Sequence, residues 1–174
     1  RGEKLAHYKR IPSLRECVLV SQRERRIEVW HRADRGAWER TEARTGVPTS
    51  IMIAIYGHET AYGQVTGSFD LPEALATLAY EGRRRSLFEP EFIATMEMVQ
   101  RGVPREVLKG SWAGAFGYPQ FLPSVYLAVA EDGDGDGRAN IWSSEADAIE
   151  SIGAYLRRAG WRTCVERKRQ RLRW

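Results

Sequence analysis

Residues 48–63, PTSIMIAIYGHETAYG, decide the fold. Pro48-Thr49-Ser50 opens a helix, Gly57 is tolerated inside it, and Gly63 is its expected stop. Ile51, Ala54 and Ile55 recur at helical spacing, and Glu59 follows Ile55 by four residues, which predicts a carboxylate on the apolar face. Desolvation disfavours the charged form of such a group and raises its pKa, the property a general acid needs near neutral pH. Acid-assisted cleavage of a sugar chain is a standard use of it. In the alternative reading Glu59 reaches solvent past Ile55 or caps a neighbouring loop.

Outward from this helix the pattern stays helical: LPEALATLAYEG (71–82), EPEFIATMEMVQRG (89–102), a short turn REVLKG (105–110), and SEADAIESIGAYLRRAG (144–160). Before residue 46 it differs. A short helix over 2–10 precedes three expected strands, 17–22, 26–33 and 37–43, rich in Val, Ile and Trp and separated by polar turns. The expected organisation is therefore a helix-plus-strand segment (1–46), a mainly α core (47–161) and a basic tail (162–174). Charge follows the same division. Residues 1–46 carry 12 Lys and Arg against 7 Asp and Glu, residues 47–161 carry 9 against 15, and residues 162–174 carry 6 against 1. With 43% hydrophobic and 29% charged residues in 174, the chain is globular and not disordered. No apolar run approaches the roughly 20 residues of a membrane span. The opening residues RGEKLAHYKR lack the apolar stretch of a secretory leader. Cys17 and Cys164 form no paired motif and are read as ordinary thiols.

Two further segments carry chemistry. In LKGSWAGAFGYPQFLPSVY (108–126), small residues permit close backbone approach, and Trp112, Phe116, Tyr118, Phe121 and Tyr126 supply flat faces. Ser111 and Gln120 add polar groups that can orient a hydroxylated ligand, a composition that suits either a cleft or a core under a loop. In DGDGDGRANIW (132–142), Asp132, Asp134 and Asp136 stand at positions 1, 3 and 5 of an EF-hand-like loop, with Gly137 at position 6. Arg138 would add its carbonyl. Position 12 is Ser143 instead of Glu, so Asp147, from the following helix, is the candidate closing carboxylate. All-oxygen ligands favour calcium.

The ordered blocks GVPTSIMIAIYGHETAYG, LATLAYEGRRRSLF, LKGSWAGAFGYPQFLPSVY and DGDGDGRANIWSSEADAIESIGAYLRRAGW resemble the lytic murein transglycosylase B family over residues 46–161. The resemblance implies a lysozyme-like, largely α-helical core that cleaves the MurNAc–GlcNAc bond of peptidoglycan and leaves a 1,6-anhydro sugar. The family's single catalytic carboxylate falls on Glu59, acting as acid and then as base on the C6 hydroxyl. No second carboxylate can be nominated at the 5–9.5 Å that a two-carboxylate hydrolase requires. Ser111 and Gln120 match the substrate-orienting positions, Phe121 lines the same groove, and Phe116 and Tyr118 are read beside it. The family's metal loop falls on Asp132, Asp134, Asp136, the Arg138 carbonyl and Asp147, with calcium structural and no cofactor in the chemistry. A periplasmic or envelope location follows from the substrate, although no export signal is visible.

Residues 1–46 are similar to the C-terminal part of a PD-(D/E)XK endonuclease-like family, with Lys4 on the helical Lys and Cys17 in place of a Tyr. The acidic metal ligands of that family have no counterpart here, which argues against nuclease activity and a nucleic-acid partner. The family's helical region before Gly-Val-Pro and its groove-closing segment after Gly160-Trp161 are also not seen. The alternative function is therefore a peptidoglycan-binding module without turnover.

Overall fold

The computed structural model describes residues 2–14, 16–20, 27–32 and 38–162. Helix α1 (Gly2–Tyr8) leads into an antiparallel sheet of β1 (Glu16–Val20), β2 (Ile27–Arg32) and β3 (Trp38–Arg40), in the order β1-β2-β3. Val18 pairs with Val29, and Trp30 with Arg40. The Arg32 guanidinium donates to the carbonyls of Lys9, Ile11 and Pro12 at 3.1, 2.9 and 3.3 Å, which closes the segment after α1 onto β2. The Lys9 ammonium lies 4.1 Å over the Trp30 ring.

The expected strand over 37–43 is met by β3 over Trp38–Arg40 and ends there, because α2 (Thr41–Thr45) begins directly after it. Its buried face explains the change: Thr41 and Thr45 pack inward, and the Thr45 hydroxyl donates to the Thr41 carbonyl at 2.9 Å. Contacts cross residue 46. Val29 of β2 is 1% exposed, β2 packs against α2 and α3 (Thr49–Thr60), and Arg44 pairs with Glu150 at 3.2 Å.

The remaining helices are α4 (Leu71–Glu81), α5 (Arg85–Gln100), α6 (Pro123–Val129) and α7 (Glu145–Arg158). A two-residue hairpin of β4 (Phe69–Asp70) and β5 (Lys109–Gly110) pairs Phe69 with Gly110. Local signals set several boundaries. The Asp70 carboxylate caps α4 through the Glu73 N–H, Gly82 ends it, and the Ser144 hydroxyl caps α7 through the Asp147 N–H. Helix α5 starts at Arg85, four residues before the expected Glu89, because Leu87 and Phe88 already donate to the Arg84 carbonyl.

Helix α6 lies where the sequence suggested only a glycine- and aromatic-rich segment. Its first turn is capped from a distance, by the buried Glu91 carboxylate of α5, which accepts from the Ser124 N–H at 2.8 Å and hydroxyl at 2.6 Å. Met52 of α3, Leu75 of α4, Met98 of α5, Phe116 and Ile152 of α7 meet in one core. Helices α3 and α7 approach so closely that a Cβ on Gly153 would fall 2.4 Å from Thr45 Cγ2 and 2.8 Å from Met52 Sδ. No described helix is long and apolar enough to cross a membrane.

Candidate active site

The core stripe of α3 is Thr49, Met52, Tyr56 and Thr60, spaced three and four residues apart. Ile51 and Glu59 lie off it and are exposed. The expected burial of Glu59 is thus corrected. With five consecutive apolar residues from Ile51 to Ile55, α3 offers several possible inward faces, and the close crossing with α7 selects the one containing Met52. Among the described residues no hydrogen bond or ion pair engages Glu59.

The helix ends at Thr60, before the expected stop at Gly63. Ala61, Tyr62 and Gly63 are all left-handed, at φ 49°, 57° and 79°. Non-glycine residues held there cost on the order of 1–3 kcal/mol each. Thr60, 1% exposed, holds the turn: its carbonyl accepts from Val65 N–H at 2.9 Å, and its hydroxyl accepts from Gly63 N–H at 3.1 Å. The same hydroxyl lies 3.2 Å from the Tyr56 carbonyl and 3.1 Å from the Tyr118 carbonyl, either of which takes its proton. The Tyr62 ring folds back over Gly57, where a Cβ would fall 2.6 Å from ring carbon Cζ.

The facing wall is the segment after β5. Ser111 is half-buried, and its Oγ accepts from Ala115 N–H at 3.1 Å, which leaves its own proton to donate. Gln120, at φ 50°, donates its amide to the Thr66 carbonyl at 3.2 Å and the Gly117 carbonyl at 2.9 Å. Only its Oε1 remains for a ligand, as an acceptor. Tyr118 is half-buried, with its ring 5.5 Å from that of Tyr56.

Phe116 and Phe121 are corrected from cleft to core. Phe116 is fully buried 5.6 Å from the Tyr126 ring, and Phe121 is 8% exposed against Tyr155. Paired bridges from Gly110 to Phe116 and from Phe116 to Phe121 turn both rings inward. Trp112 is the widely exposed aromatic of this segment, at 66%. Sequence reasoning passed over Thr60 and Tyr62. Their signal was the glycine at 57, which leaves room for a ring. Three other carboxylates have duties of their own: Glu91 caps α6, Glu150 pairs with Arg44, and Glu145 accepts from the Tyr56 hydroxyl at 3.2 Å. Burial, then the Glu145 charge, pushes that hydroxyl well above the usual tyrosine range.

In the acidic loop, oxygens of Asp132, Asp134 and Asp147 all lie within 4.8 Å of one another. Asp147 is fully buried and accepts from the N–H groups of Gly133, Asn140 and Asp134 at 2.8, 2.6 and 3.3 Å. Burial raises its carboxyl to about 6, and the nearby Asp134 charge adds to this against those three N–H groups. Asp136 stands outside the trio, exposed, accepting from Arg138 N–H at 2.8 Å. Three carboxylates this close repel unless a cation joins them, and an all-oxygen donor set fits a hard divalent ion such as calcium.

The chain thus carries an exposed carboxylate at a strained helix end on a lysozyme-like, mainly helical fold. The chain belongs to the transglycosylase SLT domain family, matched over residues 15–170. It is 41% identical over 118 residues to the membrane-bound lytic murein transglycosylase B of Escherichia coli K12, a match that takes in 67% of this chain and 32% of that protein. SltB3 from Pseudomonas aeruginosa, solved in complex with NAG-NAM-pentapeptide, superposes with a TM-score of 0.68 at 41% identity, covering 71% of this chain and 33% of that one. The Escherichia coli lytic transglycosylase Slt35, solved in complex with calcium, gives a TM-score of 0.67 at 39% identity over 71% and 40%. The chain thus spans about a third of the length of the curated relative it matches.

Proposed function

We propose that this chain is a peptidoglycan lytic transglycosylase acting through Glu59, with residues 47–161 as its catalytic core. The observation that carries the reading is the Glu59 carboxyl, exposed and unengaged among the described residues, at the end of a helix whose last residue is tied to the facing loop. Glu59 gives its proton to the glycosidic oxygen as the bond to the anomeric carbon breaks. The carboxylate then takes the proton of the C6 hydroxyl as that oxygen closes on the same carbon, giving the 1,6-anhydro sugar and regenerating the acid.

Ser111 would donate to a sugar oxygen, and Gln120 Oε1 would accept from a sugar hydroxyl or amide N–H. Tyr118 would contribute the exposed part of its ring. Asp132, Asp134 and Asp147 would hold calcium, with Asp136 and the Arg138 carbonyl completing the shell, for stability and not for chemistry. Such a substrate puts the working enzyme in the cell envelope, in keeping with the membrane-bound relative.

Mass spectrometry of purified sacculi digested by the chain tests this. Anhydro-muropeptides from the parent and none from Glu59→Gln are expected. Reducing-end muropeptides would make it a hydrolase, and glycan binding without product in either protein would favour the binding module.

A further inference from the structure

We infer that Thr60 is a positioning residue for Glu59: one buried hydroxyl pins the strained turn after the acid and the loop bearing the sugar-orienting groups into a single frame. The inference rests on the reading of Glu59 as the acid. A helix ordinarily ends on one left-handed residue, usually glycine. Here three follow in succession, two of them Ala61 and Tyr62, so the turn holds more strain than a stop requires.

That strain is held from two sides. Thr60 Oγ receives the Gly63 N–H at 3.1 Å, and Tyr62 lays its ring on Gly57. Thr60 also reaches across the site to the Tyr118 carbonyl at 3.1 Å. Tyr118 N–H donates in turn to the Ile141 carbonyl at 2.8 Å, which anchors the loop to the core. Two residues further on, Gln120 returns the connection through the Thr66 carbonyl. The backbone after the acid and the backbone under the orienting amide are therefore linked by side-chain bonds at Thr60 and Gln120. Helix α3 carries Glu59 one residue before this link, so a shift at Thr60 moves the acid. Thr60 itself is 1% exposed and does not touch substrate.

Thr60→Val keeps the shape and removes the hydroxyl, whereas Thr60→Ser keeps the hydroxyl. Steady-state kinetics on soluble glycan strands, run well below the melting temperature of each variant, should show kcat reduced ~30-fold or more in Thr60→Val with KM within about twofold, the scale expected of a misplaced catalytic group. Thr60→Ser should recover most of the rate. A kcat for Thr60→Val near that of the parent overturns the inference, as does a serine variant that falls as far as the valine. The Glu59 side-chain resonance, followed by NMR without substrate, gives a reading independent of turnover. It should be displaced in Thr60→Val and restored in Thr60→Ser. An undisplaced resonance overturns positioning even in an active enzyme, and a parent that makes no product fails the activity reading instead.

Discussion

Gly57 lacks a side chain at the spot that the Tyr62 phenol occupies, with two ring carbons 2.6 and 2.8 Å and the hydroxyl oxygen 2.9 Å from where a Cβ would stand. Tyr62 is 60% exposed, so its ring clasps the helix from outside instead of entering the core. Gly57→Ala should therefore destabilise the protein by displacing the ring. In a Tyr62→Ala background the same change should stabilise it by about 1 kcal/mol, because alanine is the better helix former. Urea denaturation of the four proteins checks this, and a change of the same sign in both backgrounds would remove the clasp. The motif around Glu59 singled out that carboxylate as a candidate; spacing favoured a buried position, and the structure leaves it exposed. Ile51 to Ile55 are apolar on every side of α3, so spacing could not choose the inward face, and the choice was made by Gly153, about a hundred residues away. The same non-local cause hid the burial of Phe116 and Phe121, whose direction is set by bridges between loop segments.

At the scale of elements, legibility follows the distance between a cap and its helix. Asp70, Gly82 and Ser144 cap from within their own segments, and the ends of α4 and α7 fall within two residues of their expected places. Helix α6 has Pro123 at its start, a usable signal, yet its capping carboxylate, Glu91, belongs to α5 and lies 33 residues upstream. Glu91→Ala should cost about 1.5–3 kcal/mol, the range for hydrogen bonds to a charged group. Glu91→Gln should cost less, since its carbonyl can still accept from Ser124. The order of the two unfolding free energies is the test, and an alanine variant as stable as the glutamine one would deny the cap. The proposed activity should suffer little in either variant, because Glu91 caps α6 and is none of the groups proposed to meet the sugar.

Across the whole molecule, the acidic loop joins pieces that differ in charge. Asp147 belongs to α7, Asp132 and Asp134 to the loop, and Gly135 sits below the Arg32 carbonyl of β2, 3.6 Å from where its Cβ would be. An ion held by the three carboxylates would therefore stabilise the folded chain as a unit, by about 2.7 kcal/mol at a hundredfold excess over Kd. In a chain of this size that corresponds to roughly 5–10 °C in Tm. The pH dependence has a definite sign. The folded Asp147 carboxyl, near 6, lies above its ordinary 3.8, so its ionised form costs the metal-free fold stability above about pH 6. That cost fades as pH falls from about 6 towards 4, where the group binds a proton in the folded state first. Calcium needs the ionised form, so its effect weakens over the same window. Thermal melts with calcium or with a chelator should show a larger calcium increment at pH 7.5 than at pH 5, and Asp147→Asn should abolish most of it. Equal increments at the two pH values would separate the ion from Asp147, and no increment in the parent would remove calcium from the loop altogether.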